Sequence, residues 1–270
     1  MSDKELIRKD KQIVELQNII NNLNQKLNES ESLKSNFISN IMNEVYNPFS
    51  SIISMADNIQ SLNADKLEKA KPMAEIIYRE AAQLDFHLQN IFTAASIEAG
   101  LEGLDISEVV INEIYEFVIT KFRVDITNKN LSIKSNLSSK NEISFVTDSK
   151  KLTLILLNLL SNSIKYSPDK GVIRLNFEVI EDYLNISILD EGEGMTESDI
   201  ENVFNRFSRI DTTINSVTGG AGLGLSVVKA LMEILNANIK ITSDNGTKIF
   251  LAIPTIEVDD DDMMLDEELF

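Results

Sequence analysis

The sequence predicts an α+β chain, with a long helical front followed by a mixed α/β domain. Three observations predict it. Apolar residues recur at spacings of three and four through residues 6–95. Segments that alternate apolar and polar, bounded by turn residues, recur between residues 106 and 254. Among them, one apolar-periodic run at 152–164 is too long for a strand and reads as a helix.

The elements follow in order. Leu6, Ile13, Leu16, Ile20, Leu23, Leu27, Phe37 and Ile41 form a coiled-coil seam, filled less well by Lys9, Ser30 and Lys34. Residues 1–36 are therefore expected to pair as a parallel dimer; the alternative is one amphipathic helix lying on another domain. The stripe continues through Val45, Pro48, Ile52, Met55, Ile59 and Leu62. Ile41 to Val45 is a second consecutive step of four, a stutter that unwinds a coil locally. Pro48 removes a backbone hydrogen bond and is expected to bend the helix. Polar residues 63–66 make a hairpin tip. A second helix carries Ile77, Ala81, Leu84, Leu88, Ile91 and Ala95 and stops near Gly100. Two such helices cannot bury their stripes alone, so residues 37–100 are expected to form a four-helix bundle as a homodimer. Residues 101–254 hold the α/β domain. A strand passes into a helix over 106–121, and strands follow at 131–134 and 143–147. After the 152–164 helix come a hairpin over 172–189, a glycine loop entering a helix, and a last hairpin ending at Pro254. Residues 255–270 form an acidic tail. Its apolar end, 263–270, suits either docking on a partner or, more simply, an unstructured solubilising tail.

Composition narrows the function. There are 25 basic and 43 acidic residues in 270, a net charge of −18, which disfavours nucleic acid and anionic membranes as partners. Cysteine is absent and His87 is the one histidine, so disulfides, cysteine nucleophiles and His/Cys metal clusters are excluded. No apolar run is long enough to span a bilayer and no signal peptide opens the chain, which predicts a cytoplasmic protein.

Three stretches carry chemistry. Asn158 and Asn162 lie four apart on one face of the 152–164 helix, and Lys165 continues that face. A carboxamide oxygen suits Mg²⁺ and an ammonium meets phosphate; two solvated asparagines are the plainer reading. Asp190 ends a strand, where its carboxylate can accept from an adenine amine. Gly192 and Gly194 after it let the backbone pass close to a ligand. The loop over 218–225, with Gly220, Gly222, Leu223 and Gly224, feeds a helix N-terminus, a phosphate site by geometry and dipole. Its spacing is not the dinucleotide fingerprint.

Together these motifs resemble a known family. Asn158, Asn162, Lys165 and Tyr166, then Asp190, Gly192 and Gly194, then Phe204 and Phe207, then Gly220, Gly222 and Gly224 occur in the order and spacing of the N, G1, F and G2 boxes of bacterial sensor histidine kinases of the GHKL ATPase superfamily. The resemblance spans about residues 30–254. It implies an α/β sandwich that binds ATP between the N-box helix and a mobile lid at 196–221. It further implies Mg²⁺ at Asn162 with Asn158, phosphate at Lys165, Tyr166 lining the pocket, adenine at Asp190 and phosphates wrapped by the G2 glycines. Arg206 and Arg209 fall in the lid, as phosphate-steering or simply solvated charges.

Residues 37–49 resemble the same family's H box at Phe37, Asn40, Glu44, Asn47 and Pro48, but Asn43 occupies the phosphoacceptor position and Tyr46 replaces an arginine. An amide nitrogen, its lone pair delocalised, cannot attack a γ-phosphate as imidazole does. The resemblance therefore implies an ATP-binding protein of two-component signalling that is defective in autophosphorylation at the usual site. Three mechanisms compete: dephosphorylation of a response-regulator receiver using Glu44 and Asn47, ATP-gated scaffolding, and trans-phosphorylation of a partner histidine kinase. An active kinase with another acceptor, or a mechanical ATPase of the same superfamily, are the alternatives.

His87 is the one other acceptor to weigh. With the tip near Asp65, Asn43 and His87 fall in one layer of the hairpin. Phe86 and Leu88 beside it offer no base, and Asp85 and Gln89 point elsewhere. The sequence thus predicts no acid-labile, base-resistant phosphoryl label on the isolated protein.

Overall fold

The computed structural model describes residues 3–138, 142–204 and 223–256. Helix α1 spans Asp3–Gln60 and helix α2 spans Ala70–Glu98, joined by a 3-10 turn at Ala64–Lys69. The two helices pack as a hairpin. The proline does not end α1, which runs past a buried Pro48. At the far end Gly100 adopts φ 66°, and the N–H groups of Gly100 and Leu101 bond back to Ile97 and Ser96 at 3.1 and 2.9 Å. That left-handed cap stops α2 where the sequence placed its end.

The α/β part begins with β1 (Ile106–Val110), α3 (Ile111–Lys121), α4 (Arg123–Asn128) and β2 (Ser132–Ser135). Next come β3 (Ser144–Asp148), α5 (Ser149–Tyr166), β4 (Val172–Ile180) and β5 (Tyr183–Leu189). Then follow α6 (Glu197–Asn202), α7 (Gly224–Ile234), β6 (Asn238–Thr242) and β7 (Lys248–Pro254). β1 and β3 form an antiparallel ribbon, and the main sheet has the order β2-β4-β5-β7-β6, parallel only between β2 and β4. Alternation along β4, β5 and β7 puts Leu175, Phe177, Ile186, Ile188 and Leu251 on one buried face. Helices α5 and α7 pack on the sheet, with Leu152, Ile155 and Leu159 of α5 and Val228 and Leu231 of α7 fully enclosed. Each such side chain contributes about 1.5–3 kcal/mol on burial. The result is the expected two-layer α/β sandwich behind a helical hairpin.

Helix α5 starts three residues before its apolar period does. Asp148, the last residue of β3, caps it by accepting from the Lys151 N–H at 2.9 Å. Its second oxygen takes the Lys151 ammonium and the Asp105 N–H, both at 2.9 Å. Burial acts to raise the Asp148 carboxyl, but these hydrogen bonds and the Lys151 charge hold it below its ordinary value. A depressed carboxylate stabilises the fold fully above its unfolded pKa, and that contribution is lost as pH falls through the lower folded value. Asp148→Asn is therefore expected to cost about 1–3 kcal/mol at neutral pH, and less below about pH 4. Urea titrations of both proteins at the two pH values measure this.

Candidate functional site

Asp190 follows β5 and is nearly buried, 4% exposed. Its Oδ1 accepts from the N–H groups of Gly192 at 3.0 Å and Thr247 at 3.1 Å, while its Oδ2 accepts from the Ser163 hydroxyl of α5 at 3.3 Å. Burial raises its pKa, opposed by those three bonds. One oxygen is thus fixed by backbone and the other keeps acceptor capacity, as an exocyclic amine requires.

The glycines around it are tight. A Cβ on Gly192 would lie 2.9 Å from the Tyr166 carbonyl. Gly194 sits at φ +77°, and its Cβ would strike the Ser243 hydroxyl, which accepts from the Met195 N–H and donates to the Gly246 carbonyl. Gly246, at φ +124° in the β6–β7 turn, lies against the Asp190 carbonyl. Ser163, Ser243, Gly246 and Thr247 were not singled out in the sequence. The Asn245-Gly246 turn pair was the available signal.

On α5, Asn158 and Asn162 separate in role. Asn158 is buried, and its amide nitrogen donates to Asn90 Oδ1 of α2 at 2.7 Å and to the Leu154 carbonyl at 2.9 Å. The solvated reading therefore does not hold for it. A Cβ on Gly224 would come within 2.7 Å of Asn158 Oδ1, so the start of α7 closes directly onto this side chain. Asn162 is half-buried, one turn on. Lys165 lies over the exposed Tyr166 ring at 4.9 Å. Leu223 is buried and Phe204 half-buried, with the Lys229 ammonium 5.9 Å from the Phe204 ring. Phe207, Gly220, Gly222, Arg206, Arg209 and the tail at 257–270 lie outside the described residues, as do the side chains of Phe37 and Asn40.

The donor set fits Mg²⁺ carried by a nucleotide. Among the described residues no cluster of three His, Asp or Glu side chains forms a cage for a metal. Mg²⁺ needs none, since it retains waters and takes one or two protein oxygens plus phosphates.

Helix α2 docks on this face. Besides the Asn90–Asn158 bond, Phe86 meets Phe122 edge-on at 6.3 Å, and Phe86, Ile91 and Ala94 pack on the sandwich core. In the hairpin Asn43 and Asn47 are exposed, but Glu44 turns inward, its Oε2 3.6 Å from Nδ1 of His87. The structure therefore does not bring Glu44 and Asn47 onto one exposed surface. It also supplies, from the facing helix, the carboxylate that the neighbours of His87 on its own helix lack.

Comparison with known proteins places the sandwich. Residues 147–257 match the family described as histidine kinase-, DNA gyrase B-, and HSP90-like ATPase. These residues are a domain of that ATPase family. Over most of its length the chain is also similar to sensor proteins and histidine kinases. It is 28% identical over 232 residues to the sensor protein RprX of Bacteroides fragilis, covering 84% of this chain and 44% of that one. It is 27% identical over 228 residues to the sensor-like histidine kinase SenX3 of Mycobacterium tuberculosis, covering 84% and 55%. The chain thus spans about half the length of these relatives. In fold it is similar to the Acinetobacter baumannii histidine kinase AdeS, with a TM-score of 0.56 at 20% identity over 80% of this chain and 98% of that one. The histidine kinase ThkA, in its complex with the response regulator TrrA, aligns with a TM-score of 0.52 at 20% identity over 86% of this chain and 65% of that one. Among the described residues no helix is long and apolar enough to cross a membrane.

Proposed function

We propose that this chain is a cytoplasmic ATP-binding core of two-component signalling that acts on a response-regulator receiver or a partner kinase and does not phosphorylate itself at position 43. The observation that carries the reading is Asp190, buried at a strand end with one oxygen fixed by two N–H groups and the other on the α5 side of the site. In the proposed complex adenine donates its amine to Asp190, and Gly192 lets the ring approach. Asn162, with Asn158, holds Mg²⁺; Lys165 meets phosphate; Gly220, Gly222 and Gly224 wrap the phosphates; Tyr166, Phe204 and Phe207 line the pocket. When bound, Mg²⁺ neutralises phosphate charge.

A homodimer through the hairpin is part of the proposal. Tyr46, Phe49, Ile53, Tyr78 and Phe92 are all exposed on the hairpin of a single chain, as are Leu16, Ile20 and Leu23 on the front of α1. Apolar surface on this scale calls for a covering partner.

For action on a receiver, Asn47 is the residue best placed, because it is exposed on α1 while Glu44 is not. Its amide would orient a water toward the aspartyl phosphate. Asn47→Ala is expected to slow dephosphorylation of an acetyl-phosphate-charged receiver by about 100-fold. Full activity in that variant rejects the role of Asn47.

A further inference from the structure

We infer that Asn90 of α2 is a positioning residue for the Mg²⁺ site of the sandwich: by accepting from Asn158 it fixes that carboxamide with its oxygen facing the start of α7. The inference rests on the reading above, in which Asn158 joins Asn162 at Mg²⁺. It goes beyond that reading by placing a residue of the hairpin behind the metal ligand.

Asn90 is the one buried residue of α2, 5% exposed, and its partner Asn158 is 3% exposed. The side chains around it on α2, Phe86, Ile91, Ala94 and Ile97, pack on the sandwich core. Two carboxamides are not needed to join such surfaces, because apolar groups of the same shape do so about as well. What a carboxamide pair adds is direction, since one end only donates and the other only accepts.

That direction is settled by two backbone carbonyls. The end of Asn90 that meets the Phe86 carbonyl at 3.1 Å must be its NH₂ group, so Oδ1 is the atom turned to Asn158. The Asn158 nitrogen then donates to Asn90 Oδ1 at 2.7 Å and to the Leu154 carbonyl at 2.9 Å. Turning either carboxamide over would set acceptor against acceptor at a backbone carbonyl. Both hydrogens of the Asn158 nitrogen are therefore engaged, and Oδ1 takes the other branch of the group. It lies 2.7 Å from where a Cβ on Gly224 would stand. Gly224 opens α7, the helix fed by the glycine loop proposed to wrap the phosphates.

An oxygen so placed suits Mg²⁺, a hard cation that takes one or two protein oxygens together with phosphate. Partners that orient a metal ligand from behind typically carry about 10- to 100-fold in metal affinity. Without Asn90 the Asn158 nitrogen keeps the Leu154 bond alone, and the oxygen is free to turn from the phosphates.

The test titrates ATP into the full chain, with Mg²⁺ and with EDTA. Asn90→Leu is expected to lose about 10-fold or more of the Mg²⁺-dependent affinity, with the affinity in EDTA kept at the parental value. Added to Asn158→Ala, the same change is expected to cause no further loss, because Asn90 acts only through Asn158. NMR of the metal-free protein gives an independent readout. The side-chain amide protons of Asn158 are expected to exchange slowly with solvent in the parent chain and to lose that protection in Asn90→Leu. Asn90→Ser, which withdraws the acceptor without adding bulk, gives the same readings should the leucine not be accommodated. Parental Mg²⁺-dependent affinity in the Asn90 variants, an equal loss with and without Mg²⁺, additive losses in the double variant, or unchanged amide exchange each overturns the inference and leaves the ATP reading standing. A parent chain that binds ATP no more tightly with Mg²⁺ overturns both the inference and the metal reading it rests on.

Discussion

Asp190→Asn is expected to abolish most ATP affinity, about 100-fold in Kd, while leaving the fold almost unchanged. The two backbone bonds from Gly192 and Thr247 both end on Oδ1, which an asparagine retains. The change falls on Oδ2, where an acceptor becomes an N–H₂ donor. An adenine amine then meets a donor, and a buried mismatch of that kind costs about 2–3 kcal/mol. Fluorescent-nucleotide titration and thermal melting on the same samples separate the two effects. A variant that binds ATP as the parent does removes Asp190 from adenine recognition. The same carboxyl is raised by burial, so acid protonates it before an ordinary aspartate, and ATP affinity is expected to fall correspondingly early on acidification.

Gly246→Ala is the second large effect. Gly246 holds φ +124°, and an added Cβ would run into the Asp190 carbonyl. Neither atom is the end of a flexible side chain, so the β6–β7 turn or the Asp190 segment must move. The expected cost is roughly 3 kcal/mol in stability, with weaker ATP binding because Thr247, next in the chain, is one of the two donors that fix Asp190. Equilibrium unfolding in urea measures the first and nucleotide titration the second. Parental values for both would show that the turn does not position the carboxylate.

These two residues also show what was legible in the sequence. Asp190 was, because an acidic residue closing an alternating strand before two glycines is a local pattern. Gly246 was not, because its partner lies more than fifty positions away and only sheet pairing between β5 and β7 joins them. The same division holds in the hairpin. The heights of residues 43 and 87 followed from counting to the tip, since helical rise is fixed. That Glu44 turns inward to His87 did not follow, because spacing along one helix says nothing of which side chain the other presents. Asn158 is the intermediate case: its face of α5 was read, but its burial depends on α2 docking through Asn90, which no period records. The start of α5 was missed for a simpler reason. Its first turn, Ser149 to Lys151, is polar and carries no apolar period, and only the Asp148 cap marks it.

The central claim is that the N-box helix presents a Mg²⁺-dependent nucleotide site. Calorimetric titration of ATP into the full chain, with and without Mg²⁺, and into Asn162→Ala, tests it most directly. The predicted result is one ATP per chain, tighter with Mg²⁺, and a loss of about 10- to 100-fold in the Mg²⁺-dependent affinity when the Asn162 oxygen is removed. Equal Mg-ATP affinity in the two proteins would contradict the metal assignment, and no ATP binding by the parent chain would contradict the account as a whole.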